Sequence, residues 1–128
     1  MKLLLDTHAF IWMLEAPGKL SANVTHVHND PTSTLIVSVV SLWEIQIKSS
    51  LGKLDMQVSL EQIVREQIDT GRYELLDIRA GHVLALDALP RHHNDPFDRL
   101  LIAQARTEGV PLVSADSAFR GYPVELYW

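Results

Sequence analysis

The sequence predicts an α/β fold: one domain with a central parallel sheet of four to five strands, flanked by helices. Two observations carry that prediction. Short apolar or β-branched runs alternate along the chain with longer segments of helical periodicity. Strand, crossover helix and parallel strand form the unit that such an order builds, with helices covering both faces of the sheet. A chain of 128 residues that is 47% hydrophobic has enough apolar surface to close a core of this kind without staples.

The elements are read in chain order. Residues 3–5, Leu3-Leu4-Leu5, form the first strand, ended by Asp6. Helices follow over 9–15 and 22–29, then a β-branched strand over 34–39. The next helix spans 42–51, and Ser41 with Glu44 fits a capping box at its start. Residues 52–58 connect two helices and are the natural flexible piece. Ser59 with Gln62 opens a helix over 60–70, and Gly71 closes it. A strand at 73–77 and a helix at 80–86 come next. Asp95 caps the last long helix, 96–108, with Pro96 at its first position. Strands at 110–114 and 123–126 complete the sheet.

Composition narrows the chemistry. The chain has no cysteine, so thiolate sites are excluded and any metal must be held by oxygen or imidazole. None of the six histidines stands in a His-Glu-x-x-His arrangement. A net charge of −5 argues against a broad basic face gripping nucleic acid by its phosphates alone. The apolar opening is cut short by Asp6, too early for a signal peptide or a membrane span, so a cytoplasmic protein without membrane contact is expected.

The carboxylates are the informative residues. Asp6 ends the first strand and Asp116 follows the strand of "VPLVSA", which puts both at the carboxyl edge of the sheet, where open α/β folds bind ligands. Glu44 falls at the start of the helix leaving the second strand, and Asp98 in the first turn of "DPFDRLLIAQA". Each also has a plain structural reading. Asp6 or Thr7 can cap a helix, Glu44 can pair with Lys48 one turn on, and Asp98 can answer a helix dipole. Asp98 nonetheless shares a stripe with Ile102 and Ala105 that faces the core, and a carboxylate there calls for a cation. Four acids from four segments on one edge would repel one another unless divalent cations sat among them. Such a cluster suits one or two Mg²⁺ or Mn²⁺ ions and phosphodiester hydrolysis.

Four stretches then carry a resemblance: "LLLDTH", "VSLWEIQIKSSLGKL", "HHNDPFDRLLIAQA" and "PLVSADSAF", in this order and nearly end to end. The sequence resembles the PIN-domain ribonucleases, and among them the VapC-type toxins of prokaryotic toxin–antitoxin pairs. The resemblance implies a metal-dependent endoribonuclease with catalytic acids at Asp6, Glu44, Asp98 and Asp116, an RNA substrate, and a homodimer held inactive by a small VapB-like antitoxin. It assigns Asp98 to the metal and leaves Asp95 as the cap, and it places Ser114 where the family has threonine beside the last acid. Thr7, His8, Ser41, Lys48, Asp95, Arg99 and Ser114 are read as supporting or substrate contacts around the acids, and His92 and His93 as plain surface loop. Two other readings stand beside this one: a PIN nuclease of RNA processing with no antitoxin, and a non-catalytic RNA- or partner-binding protein. A receiver-like signalling module is disfavoured, because it needs paired acids after the first strand and a lysine after the last, whereas Asp6 stands alone and no lysine follows Lys53.

Overall fold

A computed structural model describes residues 1–128. Five parallel strands form one sheet in the order β3-β2-β1-β4-β5. They are β1 (Lys2–Leu5), β2 (Thr34–Ser38), β3 (Glu74–Leu76), β4 (Leu112–Val113) and β5 (Leu126–Tyr127). Six helices join them: α1 (Thr7–Glu15), α2 (Ala22–Asn29), α3 (Val39–Ser50), α4 (Leu60–Ile63), α5 (Ala80–Ala85) and α6 (Pro96–Glu108). The expected α/β architecture is therefore present, with five strands rather than four.

The alternation of a strand decides which face each side chain serves. Leu3 and Leu5 point to one side with Leu35 and Val37, where they meet Phe10, Met13, Val24, Val27 and Ile63 from α1, α2 and α4. Leu4 and Ile36 point to the other, against Leu101, Ile102 and Ala105 of α6. The two clusters hold thirteen buried residues each, so β1 lies at the centre of a sheet buried on both faces. On the first face the rings of Phe10 and Tyr73 meet edge to face at 5.3 Å. Burying a ring of this size contributes about 1.5–3 kcal/mol.

Some boundaries move from their expected places. Val39 belongs to α3 and not to β2, because Ser38, with extended backbone, accepts from the Val40 amide and starts the helix. The capping box read at Ser41 and Glu44 is thereby corrected: both residues lie inside α3, facing inward. Ser59 does cap α4 through the Gln62 amide, but the Gln62 side chain turns to Glu66, and the helix widens into a π-helical turn over Val64–Ile68. The last strand runs Leu126–Tyr127, later than residues 123–126, because the turn around Gly121 occupies the preceding residues. Gly109, at φ +67°, ends α6 in the left-handed conformation that a Cβ would strain, and turns the chain into β4.

Chain order fixes the site. From β1 the chain winds outward to β2 and β3, then crosses back to β4 and β5 on the other side. The direction of winding reverses between β1 and β4. A crevice opens outside the carboxyl ends of strands at such a reversal, and Asp6 and Ser114 stand at those two ends.

Candidate active site

Asp6 closes β1 and caps α1: its Oδ1 accepts from the Ala9 amide at 2.7 Å. Structural and functional readings of this acid therefore coincide, since the carboxyl that caps α1 also lines the crevice. Asp6 is 4% exposed. Burial pushes its carboxyl up, against the pull of the Ser114 hydroxyl, the Ala9 amide and His8, while the charge of Asp116 adds to the rise. The next residue, Thr7, turns inward. Its hydroxyl donates to Glu44 Oε1 at 2.6 Å and lies 3.0 Å from Ser41 Oγ, tying α1 to α3.

Glu44 sits in the second turn of α3, not the first, because the helix starts three residues earlier than expected. It is 2% exposed. Besides the Thr7 hydroxyl it holds the Lys48 ammonium, one helical turn on, on Oε2. Hydrogen bonding to Glu44 raises the Lys48 pKa more than burial lowers it, and the charges of Glu44, Asp95 and Asp98 add to the rise. Lys48 thus faces the acids of α6 as well as its own.

At the start of α6, Asp95 accepts from the Asp98 amide at 3.0 Å and Pro96 takes the first helical position, as the sequence reading has it. Asp98 faces the crevice with a fifth of its side chain exposed. Burial pushes it up to about 7, with the charges of Asp95, Glu44 and Asp116 in the same direction and His93 opposing. His93 was not expected here. Its Nε2 lies 3.4 Å from Asp98 Oδ2, and its Nδ1 lies 2.8 Å from the Tyr122 hydroxyl, which also accepts from the His93 amide at 3.1 Å. The surface-loop reading is corrected for this residue; a lone histidine in a polar loop gives no sign that a tyrosine thirty residues on will turn it inward. Arg99 is buried, donating to the carbonyls of Pro90 at 2.7 Å and Leu86 at 3.4 Å, and its Nη1 lies 3.5 Å from the Tyr122 hydroxyl that also holds His93. It secures the segment that leads into α6.

Past β4, the Ser114 hydroxyl accepts from the Asp116 amide at 3.0 Å. Asp116 itself is exposed and accepts from the Ala118 amide at 2.9 Å, opening a short 3₁₀ turn. Asp6 and Asp116 share a pocket of about 260 Å³ with His8, Trp12 and Ala115. Glu44 and Lys48 line a second depression of about 250 Å³ that meets the first at His8. Trp12, absent from the expected site, follows His8 by one helical turn on α1, a spacing that the sequence does display. A groove of about 500 Å³ between the end of α3 and residues 54–60 holds one carboxylate, Asp55, and shares Ile45 and Leu54 with the second depression.

The charge of Asp116 reaches both Asp6 and Asp98, and that of Glu44 reaches Asp98, from four separate segments. The acids do not close up: no three acidic or histidine side chains approach closely enough to hold one ion in common. The donors are oxygen throughout, and burial with the charges of Asp95, Glu44 and Asp116 raises Asp98 more than His93 lowers it. Both features fit a hard divalent cation bound largely through water, as Mg²⁺ is.

A family model described as PIN domain matches residues 3–125. No curated protein matches the chain. Among solved structures it is similar to a chain of DNA-bound VapBC from Salmonella typhimurium, with 18% identity and a TM-score of 0.73 over 99% of this chain and 97% of that one. It is similar also to VapBC2 from Rickettsia felis bound to a DNA fragment from its promoter, with 17% identity and a TM-score of 0.71 over 99% and 98%. A toxin–antitoxin complex from Klebsiella pneumoniae gives 16% identity and a TM-score of 0.63 over 98% and 96%. At these identities the likeness is one of fold.

Proposed function

The chain belongs to the PIN-domain family, and from that premise we propose that it is a metal-dependent endoribonuclease, the toxin of a toxin–antitoxin pair. One observation carries the catalytic part: four carboxylates gather at the reversal point of the sheet, with Asp98 held up at about 7 by burial and by its acidic neighbours. Acids that raise Asp98 by their charge across the crevice suit a cation from outside the chain.

Asp6, Glu44, Asp98 and Asp116 hold Mg²⁺ or Mn²⁺, as one or two ions. The bound cation supplies two things, a lowered pKa for an attacking water and stabilisation of charge on the leaving oxygen of the phosphodiester. The chain does the positioning. The Ala9 amide fixes one oxygen of Asp6, Thr7, itself held by Ser41, fixes Glu44, and the Ser114 hydroxyl holds the turn that presents Asp116. His93, anchored on Tyr122, limits the swing of Asp98. Lys48 compensates Glu44 and meets incoming phosphate.

The toxin reading is supported by the fold shared with VapBC chains and with a toxin–antitoxin complex. On this reading the protein acts in the cytoplasm as a homodimer, silenced by a small VapB-like antitoxin that sets a basic side chain among the acids, where an arginine fork pairs well with carboxylates. No helix is long and apolar enough to cross a membrane.

The test is cleavage of single-stranded and structured RNA by purified protein in Mg²⁺, Mn²⁺ or EDTA, with Asp6→Ala as the control. The expected result is cleavage in either metal, abolished by EDTA and by the substitution. Cleavage that persists in EDTA or in Asp6→Ala overturns the mechanism, and no cleavage of any RNA by folded protein overturns the function.

A further inference from the structure

Ser38, Gln104 and His82 are buried where α6 packs on the sheet, and a chain of hydrogen bonds runs through them. Gln104 Oε1 accepts from the Ser38 hydroxyl at 2.5 Å; its amide nitrogen donates to the Asp77 carbonyl at 3.2 Å and lies 3.3 Å from His82 Nδ1. Two backbone groups fix the protons in this chain. The Asp77 carbonyl only accepts, so the nitrogen end of the Gln104 amide faces it and the oxygen end faces Ser38. The Arg79 amide only donates, at 3.0 Å to His82 Nδ1, so that nitrogen is bare and the Nε2 proton goes to Glu108 Oε2 at 3.0 Å. Ser38 in turn accepts from the Val40 amide and begins α3. Every member has its partner, the condition under which a buried polar network specifies one packing.

The network joins two helices that carry acids. Ser38 starts α3 and Gln104 belongs to α6, while Glu44 and Asp98 each lie six residues from that tie, about 9 Å along an ideal helix. A second contact between these helices is apolar: Trp43 and Phe97 meet edge to face at 5.2 Å, each next in sequence to one of the two acids. Apolar contact is non-directional and leaves the offset of α6 against α3 free to slide. Hydrogen bonds have a length and an angle, and hold it. We propose that Gln104 is a positioning residue of the site: through Ser38 on one side and the Asp77 carbonyl beyond β3 on the other, it sets the offset between α3 and α6, and with it the separation of Glu44 from Asp98. His82, backed by Glu108, keeps the amide in the orientation that Ser38 needs. This rests on the endoribonuclease reading and adds to its site a residue that makes no hydrogen bond to the acids.

The experiment places nitroxide labels at Gln46→Cys on α3 and Arg106→Cys on α6, both exposed, in a chain with no cysteine of its own. Their distance distribution is measured by double electron–electron resonance in EDTA, and RNA cleavage by the unlabelled proteins in saturating Mg²⁺. Gln104→Met keeps the volume and removes the hydrogen bonds. It shifts or broadens the distribution by about 1 Å and lowers kcat about 100-fold with KM little changed, the cost of a misplacement of that size. Gln104→Asn keeps the amide but is one carbon too short to span Ser38 and Asp77; it moves both readings the same way, and carries the test should Gln104→Met not fold. Val24→Ala opens a cavity on the opposite face of the sheet and lowers the melting temperature, with distances and kcat as in the wild type. Wild-type distances and kcat in the Gln104 variants, a change in one reading without the other, or the same changes in Val24→Ala overturn the positioning role and leave the nuclease reading in place. Wild-type protein that cuts no RNA overturns the nuclease reading, and the label distances then judge the tie between the helices by themselves.

Discussion

Asp98→Asn should raise the stability of the metal-free protein while it abolishes cleavage. The carboxyl of Asp98 is raised from 3.8 to about 7. The folded protein therefore holds that proton more tightly than the unfolded chain does. Stability contributed in this way is complete below the unfolded value, near 3.8, and is lost as pH rises through about 7. A rise of about three pK units corresponds to roughly 4 kcal/mol at most. Solvent still reaches a fifth of the side chain, and discounting for its screening leaves about 1–2 kcal/mol. Asparagine keeps the shape, leaves the Asp95 cap on the backbone amide intact, and removes the charge. Each kcal/mol moves the melting temperature of a chain of this size by about 3–6 °C, so a gain on the order of 5 °C is expected at pH 8, shrinking toward pH 4. The assay is thermal unfolding in EDTA across that pH range, repeated with Mg²⁺. Added metal stabilises the wild type by mass action and brings little to the variant. A variant that melts below the wild type at pH 8, or a difference independent of pH, refutes the account of Asp98 as an acid raised by burial and by its acidic neighbours.

Thr7→Val removes the hydroxyl that donates to Glu44 Oε1; cleavage should fall about 10- to 100-fold, as when a metal ligand loses its supporting partner, with the fold retained by circular dichroism. Arg99→Met leaves the carbonyls of Pro90 and Leu86 without their donor, which should cost about 2–3 kcal/mol in chemical denaturation while residual folded protein keeps its cleavage rate. His28 is held low by burial and by Arg72, so the folded chain takes up that proton less readily and stability should fall as pH drops through about 6.5; His28→Asn should flatten the melting curve there, and an unchanged pH dependence would assign the loss to another group.

The fold was legible because its signals are local. The all-apolar Leu3–Leu5 run, the Ser59 and Asp95 caps and the glycine after α6 each name an element, and alternation of strands with helices names the sheet. The strand ends were less legible: whether Val39 extends β2 or begins α3 depends on Ser38 reaching the Val40 amide, and a β-branched residue is at home in either. The shift of three residues that follows is what turned a presumed cap at Ser41 into a buried contact for Thr7. At the site, the acids could be placed on one edge from strand direction alone, whereas the direction of long side chains could not. Arg99 follows Asp98 in sequence and is taken up by the carbonyls of Pro90 and Leu86, and His93 reaches Asp98 only because Tyr122, far along the chain, receives it.

The lysine that reaches back to Glu44 along α3 is a counter-ion on a tether. A tethered charge cannot be diluted or chelated away, so the acid beneath it has a counter-ion at any concentration of protein that leaves α3 intact. Cations or basic groups that approach Glu44 later arrive by exchange, displacing an ammonium whose flexible stem lets it swing into water. Affinity at that carboxylate is therefore always a difference between two partners, and lengthening or shortening residue 48 would set it without touching a single acid.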